Sequence, residues 1–160
     1  MNNYVYSLDV IEHLKSPEQF LERLRRQFDY APRTVILTTP NIGFFVQRIM
    51  LLLGQFNYGK AGILDRTHTR LFTFRTLRHL LADNGFRITT IEGVPAPFPK
   101  VFGDGVLGRG LTALNQFAIR ISRGLFSYQI FVVATPTPDV DFVLEDSRRR
   151  SEQYDRPASA

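Results

Sequence analysis

Two short apolar runs constrain this chain more than anything else in it. "RTVILTT" (Arg33 to Thr39) and "YQIFVVAT" (Tyr128 to Thr135) are dense in β-branched and aliphatic residues, and Arg33 is their one charge. Continuous runs of this kind are the pattern of strands buried on both faces. Such strands need covering layers, and helical patterns do alternate with strand patterns along the chain. Tyr4 to Leu8 is a short β-favouring run, and "FRITTIEGV" (Phe86 to Val94) alternates as a strand.

The helices announce themselves by spacing and punctuation. Ser16-Pro17-Glu18 reads as an N-cap, a proline at the first helical position and an early acid. Phe20, Leu21, Leu24 and Phe28 then recur at helical spacing, and that helix is expected to end near Asp29, before Pro32. A second helix is expected from about Ile42 to Leu53, closed by Gly54. Thr73 to Asn84 is the clearest: Thr73 or Thr76 caps it, Leu77, Leu80 and Leu81 form its stripe, and Gly85 stops it. After the prolines at 95, 97 and 99 comes an amphipathic helix with apolar positions 107, 111, 114, 118, 121 and 125. The order strand, helix, strand, helix, helix, strand, helix, strand predicts an α/β fold, a sheet covered by helices.

Composition narrows the function classes. With 160 residues and 44% apolar content the chain suits one domain with a real core. It has no cysteine, which excludes disulfides, thiolate metal sites and a cysteine nucleophile. That fits a reducing compartment, and the opening residues lack a secretory pattern, so a cytoplasmic protein is expected. The longest apolar run, "FFVQRIMLLLGQF", is broken by Gln47, Arg48 and Gly54 and falls short of the roughly 20 residues of a membrane span. Net charge is +5, while residues 139–160 hold six acidic and four basic side chains, leaving +7 on the preceding body. Such an excess favours phosphate, nucleic acid or a lipid headgroup, although basic surfaces without function are commoner and a nucleic-acid partner is not expected. From Pro136 the composition turns polar and charged, and 137–160 is expected to be a disordered tail.

Ligands on open α/β sheets gather beyond the carboxyl ends of the strands. Asp9, Glu12 and His13 follow the first strand there, and Asn41 follows the second.

Three blocks, "SLDVIEHLKSPEQFLERLRR", "TVILTTPN" and "DRTHTRLFTFRTLRHLLADNGFRI", in this order and spacing, resemble class I S-adenosylmethionine-dependent methyltransferases. The resemblance points to the group holding ubiquinone-type O-methyltransferases and bacterial enzymes of sugar or envelope biosynthesis. It runs from about Tyr4 to Val94, and Tyr128 to Thr135 looks like the family's last, antiparallel strand. It implies a Rossmann-like methyltransferase sheet of which this chain supplies the C-terminal half, strands four to seven. Residues 1–136 would form that half-domain, with helical insertions at about 42–54 and 106–125. The family's glycine-rich cofactor loop would lie upstream, since none of the eleven glycines here forms a G-x-G-x-G loop after a strand.

Position by position, the resemblance makes Leu8 and Asp9 cofactor contacts and Asn41 the start of the acceptor pocket. Asp9, Glu12 and His13 match a metal-binding acid-x-x-Glu-His set, and His68 matches a distal histidine that completes it. His13 and His68 are then the catalytic candidates, with a divalent metal available to lower the pKa of a bound hydroxyl. Other readings stay open: the acids can cap the next helix, His68 can anchor its loop or act as general base, and Pro40-Asn41 can be a turn. The helices at 42–53 and 107–125 are expected to pack into the core. Alternatively they form a lid or an interfacial helix in peripheral contact with membrane, since Arg109, Arg120 and Arg123 flank the second stripe. The expected reaction is O-methyl transfer from S-adenosylmethionine to a small or lipid- or sugar-linked acceptor. The expected partners are a second copy or a complementing N-terminal half. The competing expectation is a non-catalytic half-domain that associates through its exposed first strand.

Overall fold

The computed structural model describes residues 3–27, 33–137, 144, 147 and 148. Its elements run β1 (Asn3–Leu8), a 3-10 turn (Ile11–His13), α1 (Pro17–Arg26), β2 (Arg33–Pro40), α2 (Phe45–Leu52), α3 (Phe74–Asp83), β3 (Phe86–Val94), α4 (Phe98–Phe102), α5 (Val106–Ile121), α6 (Arg123–Phe126) and β4 (Gln129–Pro136). Apart from four of its residues, the tail expected at 137–160 lies outside the described residues, as do Phe28 and Asp29 at the expected end of α1.

The four strands form one mixed sheet in the order β1-β2-β4-β3. β1 and β2 are parallel, in register from Asn3 opposite Arg33 to Leu8 opposite Thr38. β4 runs antiparallel to both β2 and β3. β1, β2 and β3 therefore point the same way, and their carboxyl ends meet at one edge of the sheet, where β4 begins. The chain is thus an α/β fold, as its pattern predicts, with a last, antiparallel strand, as the resemblance implies.

Helices α1 and α3 cover one face. Leu21 and Leu24 of α1 and Phe74, Leu77 and Leu81 of α3 pack into a core with Val35, Leu37, Ile130, Val132 and Ala134 of the inner strands. Pro17 opens α1, but the Ser16 hydroxyl makes no capping hydrogen bond. For α3 both candidate caps are used: Thr73 and Thr76 bond each other's backbone N–H in a capping box, and Gly85 follows the helix with φ +77°.

β2 and β4, expected to be buried on both faces, are not. Both alternate between buried and half-buried positions. The reason is that α1 and α3 pack on one face, while the other carries half-buried Ile36, Phe131 and Val133 beside exposed Tyr4, Tyr6 and Leu8. The helix at 107–125 also departs from its expected place in the core. The side of α5 turned inward carries Gly108 and Asn115, and Leu107, Leu114 and Ile121 of the apolar stripe are exposed. Asn115 explains the rotation: its amide accepts from Ala96 N and donates to Phe126 O, pinning the polar side inward.

Candidate functional site

The first strand ends in a left-handed residue. Asp9 has φ +52°, which few non-glycine residues adopt, although Asp tolerates it better than most. The position is held by Thr38: its backbone carbonyl and its hydroxyl both accept from Asp9 N–H, at 3.2 and 3.1 Å. The Thr38 hydroxyl in turn donates to Asp9 Oδ1 at 3.0 Å, and Gln129 Nε2 donates to the same oxygen at 2.7 Å. Asp9 thus ties together the tips of β1, β2 and β4. Beside it, Leu8 is exposed.

This sharp exit turns the chain into the 3-10 segment that carries Glu12 and His13. Glu12 is 1% exposed, against 0% for Ile11 next to it. Its Oε2 accepts from the Thr39 hydroxyl at 3.0 Å, whereas Oε1 has no hydrogen-bond partner among the described residues. Burial pushes the Glu12 carboxyl above its ordinary pKa. Its own backbone N–H and Thr39 pull it down, Asp9 pushes it up and His68 pulls it down, each by less than burial does.

His68 reaches this carboxylate from a loop more than fifty residues away. Asp65 Oδ1 accepts from the backbone N–H and the hydroxyl of Thr67 at 2.8 and 2.7 Å, and Asp65 O accepts from His68 N–H at 3.1 Å. These bonds make a tight Asx turn and hold the Asp65 carboxyl below its usual range, the Thr67 hydroxyl first and its N–H second. The same loop is fastened to the 3-10 segment: Thr69 N–H and Arg70 N–H both donate to Glu12 O, at 2.8 and 3.0 Å, and the Thr69 hydroxyl donates to Leu14 O at 2.8 Å. The two imidazoles meet edge to face with ring centres 4.9 Å apart.

Each ring has one nitrogen on a backbone carbonyl. His13 Nδ1 lies 3.1 Å from Thr67 O and His68 Nδ1 lies 2.9 Å from Ile63 O. A carbonyl only accepts, so both Nδ1 atoms carry the proton, and in the neutral rings Nε2 holds the lone pair. One ligand atom from each of Glu12, His13 and His68 lies within 4.8 Å of the others. A carboxylate with an unpartnered oxygen beside two imidazoles is a donor set that suits a divalent cation, or a proton acceptor for a bound hydroxyl.

The fold therefore brings Glu12, His13 and His68 together and leaves Asp9 outside the cluster, occupied by Thr38 and Gln129. Leu8 lies at the exposed tip of β1 on the same edge. Asn41 is buried at the end of β2, and its side chain is committed: Nδ2 donates to Gly124 O and Ser127 O, at 3.1 and 2.8 Å, and Oδ1 accepts from Gly43 N–H at 2.9 Å. It ties the end of β2 to α6 and to the residue that follows it. His79 is exposed on α3, away from the cluster. Sequence reasoning missed Thr39, Asp65 and Gln129. Asp65-Arg66-Thr67 carried a readable signal, an Asx-turn pattern spanning two positions; the partners of Thr39 and Gln129 are 27 and 120 positions away and left none.

No family model matches the chain, and no curated protein matches it. Three solved structures are similar in fold. A SAM dependent methyltransferase from Archaeoglobus fulgidus is 20% identical with a TM-score of 0.48, the match covering 83% of this chain and 58% of that one. A complex of the Haloferax volcanii Trm112 methyltransferase activator with a methyltransferase is 14% identical, TM-score 0.44, over 86% and 54%. Phospholethanolamine N-methyltransferase 2 of Haemonchus contortus, bound to phosphomonomethylethanolamine and S-adenosylhomocysteine, is 14% identical, TM-score 0.39, over 86% and 34%. The chain thus spans less than two thirds of each.

Proposed function

We propose that this chain is the acceptor-side part of an S-adenosylmethionine-dependent O-methyltransferase, acting on a hydroxyl of a small or lipid- or sugar-linked molecule. The observation that carries it is the convergence of Glu12, His13 and His68 beside the exposed Leu8–Asp9 tip, at the carboxyl edge of an α/β sheet. Methyl transfer asks for an acceptor oxygen held in line and relieved of its proton. Nε2 of His68 or His13 takes that proton, and Glu12, ionised, stabilises the imidazolium that results. Asp9, held by Thr38 and Gln129, sets the direction in which the strand leaves the sheet and so the position of Glu12.

The donor set also fits a divalent ion, because the buried Glu12 Oε1 has no hydrogen-bond partner among the described residues. An ion there would lower the pKa of a coordinated hydroxyl. Cofactor fit is different. Among the described residues no glycine-rich loop follows a strand: Gly105 precedes α5, and Gly108 and Gly110 lie inside it. Leu8 and Asp9 supply one side of a cofactor site, with the remaining contacts coming from a complementing polypeptide segment.

The test is a nitrogen-proton NMR titration of the chain with S-adenosylhomocysteine, and separately with manganese or zinc. The cofactor analogue is expected to shift Leu8 and Asp9, and the metals to shift or broaden Glu12, His13 and the 63–70 loop. No response to either ligand, at millimolar concentration, would remove the methyltransferase reading. A non-catalytic association module is favoured by a different observation: β1 pairs only with β2, and Tyr6 on it is 64% exposed. Light scattering that shows a monomer at every concentration would remove that alternative.

A further inference from the structure

We infer that α2 with its following loop, together with α4 and α5, forms a docking surface for an anionic lipid bilayer. This goes beyond the methyl-transfer reading and does not rest on it. Of the nineteen large hydrophobic side chains exposed among the described residues, fourteen fall in two stretches, 46–58 and 101–121. Leu52 is 86% exposed and Val106 91%, values far from those of a packed helix face. Exposed apolar surface on this scale, gathered in two places rather than scattered, marks an interaction site.

The two stretches share one edge of the sheet. α2 leaves the carboxyl end of β2, and α4 to α6 leave the carboxyl end of β3, which points the same way. They are joined where they emerge: Phe45 lies 5.9 Å from Phe126 between ring centres, and Asn41 bonds to Gly124 and Ser127. Both therefore project from the edge that holds Glu12, His13 and His68.

Charge selects the occupant. Residues 41–64 and 94–128 contain six basic side chains, Arg48, Lys60, Lys100, Arg109, Arg120 and Arg123, all exposed, and a single acid, Asp104. Their excess of five equals the net charge of the whole chain, so the remainder is balanced. A second copy would bring the same positive excess to a face-to-face contact and be repelled. An anionic lipid surface complements it, and a fluid acyl layer accepts apolar side chains of uneven relief without a matching partner groove. Among the described residues no helix is long and apolar enough to cross a membrane, so the contact formed by these helices is interfacial.

The experiment is vesicle co-sedimentation of the full chain. Phosphatidylglycerol–phosphatidylcholine vesicles are expected to carry the protein down at low salt, with binding falling at least tenfold at high salt, and pure phosphatidylcholine vesicles to leave it in solution. Leu52→Glu with Phe117→Glu tests the apolar component, and Lys100→Glu with Arg109→Glu the charge; each pair is expected to weaken binding tenfold or more. All four side chains are exposed, so circular dichroism and melting should match the parent. If the apolar pair fails to fold, Leu52→Ser alone replaces it, and if the charge pair does, Lys100→Gln alone replaces that. Absence of binding to phosphatidylglycerol vesicles would overturn the inference. So would equal binding to neutral vesicles, or a self-associated species abolished by Leu52→Glu. Because no cofactor takes part, failure here and failure of methyl-donor binding are separate outcomes.

Discussion

The hydroxyl of Thr39 donates to Glu12 Oε2 at 3.0 Å, joining the end of β2 to the turn after β1 through two buried residues. It is the one side-chain hydrogen bond that stabilises the Glu12 carboxylate against its burial. Thr39→Val keeps the shape and removes the donor. The Glu12 pKa is expected to rise further, followed by carbon NMR of its carboxyl, and the fold to lose about 1–3 kcal/mol where the ionised acceptor is left unpaired. A Glu12 titration that stays in place would show that Thr39 does not govern it.

Glu12 also gives stability a definite pH dependence. Its folded pKa is raised above the ordinary 4.5, so the folded chain binds this proton more tightly than the unfolded chain. Stability from this group is therefore fully present below the unfolded pKa, declines as pH rises from there through the folded pKa, and is level above it. Glu12→Gln, which cannot ionise, is expected to remove that decline. Urea denaturation of both proteins at several values from about pH 4 to about pH 8 measures it. Parallel curves for the two would mean that the burial cost is not borne by Glu12.

Asp65 works in the opposite sense and at a distance. Its carboxyl is held below 3.8 by the hydroxyl and N–H of Thr67. The stability that the turn draws from the ionised carboxylate is therefore fully present above the ordinary Asp pKa and is lost as pH falls through the lower folded value. Asp65→Ala opens the turn that carries His68 and that holds Thr67 O against His13 Nδ1, while leaving the Thr39–Glu12 bond in place. Zinc or manganese affinity measured by calorimetry is expected to fall on the order of tenfold, the scale of outer partners at metal sites. Unchanged affinity would show that the turn does not position His68.

Why some of this was readable from sequence and some was not follows from range. α3 was legible in detail because a capping threonine, a leucine stripe and Gly85 act within one or two turns of each other. The α/β class followed from element order, and the direction of the last strand from the resemblance. Burial on both faces of β2 and β4 was expected from their unbroken apolar runs, yet Ile36, Phe131 and Val133 are half-buried, because hydropathy does not say whether a second layer is present. Glu12 and His13 stood out as neighbours. What the sequence left unstated was that Thr39 would meet one, that the Asp65 turn would bring His68 to the other, and that Asn41 would be spent on three backbone groups.

The outward turn of α5 gives the sharpest contrast between two leucines of similar sequence context. Leu77 of α3 is 0% exposed in the core, while Leu114 of α5 is 64% exposed although it belongs to the helix's apolar stripe. Leu77→Ala removes buried methyl groups and leaves a cavity, at a cost of about 2–5 kcal/mol. Leu114→Ala removes side-chain atoms already in water, and Ala is the better helix former, so stability should change by no more than about 0.5 kcal/mol. Denaturation midpoints at constant slope give both values. A core helix would lose several kcal/mol at either position; a large loss at Leu114 would mean that α5 is covered in solution by another part of the molecule or by a second copy.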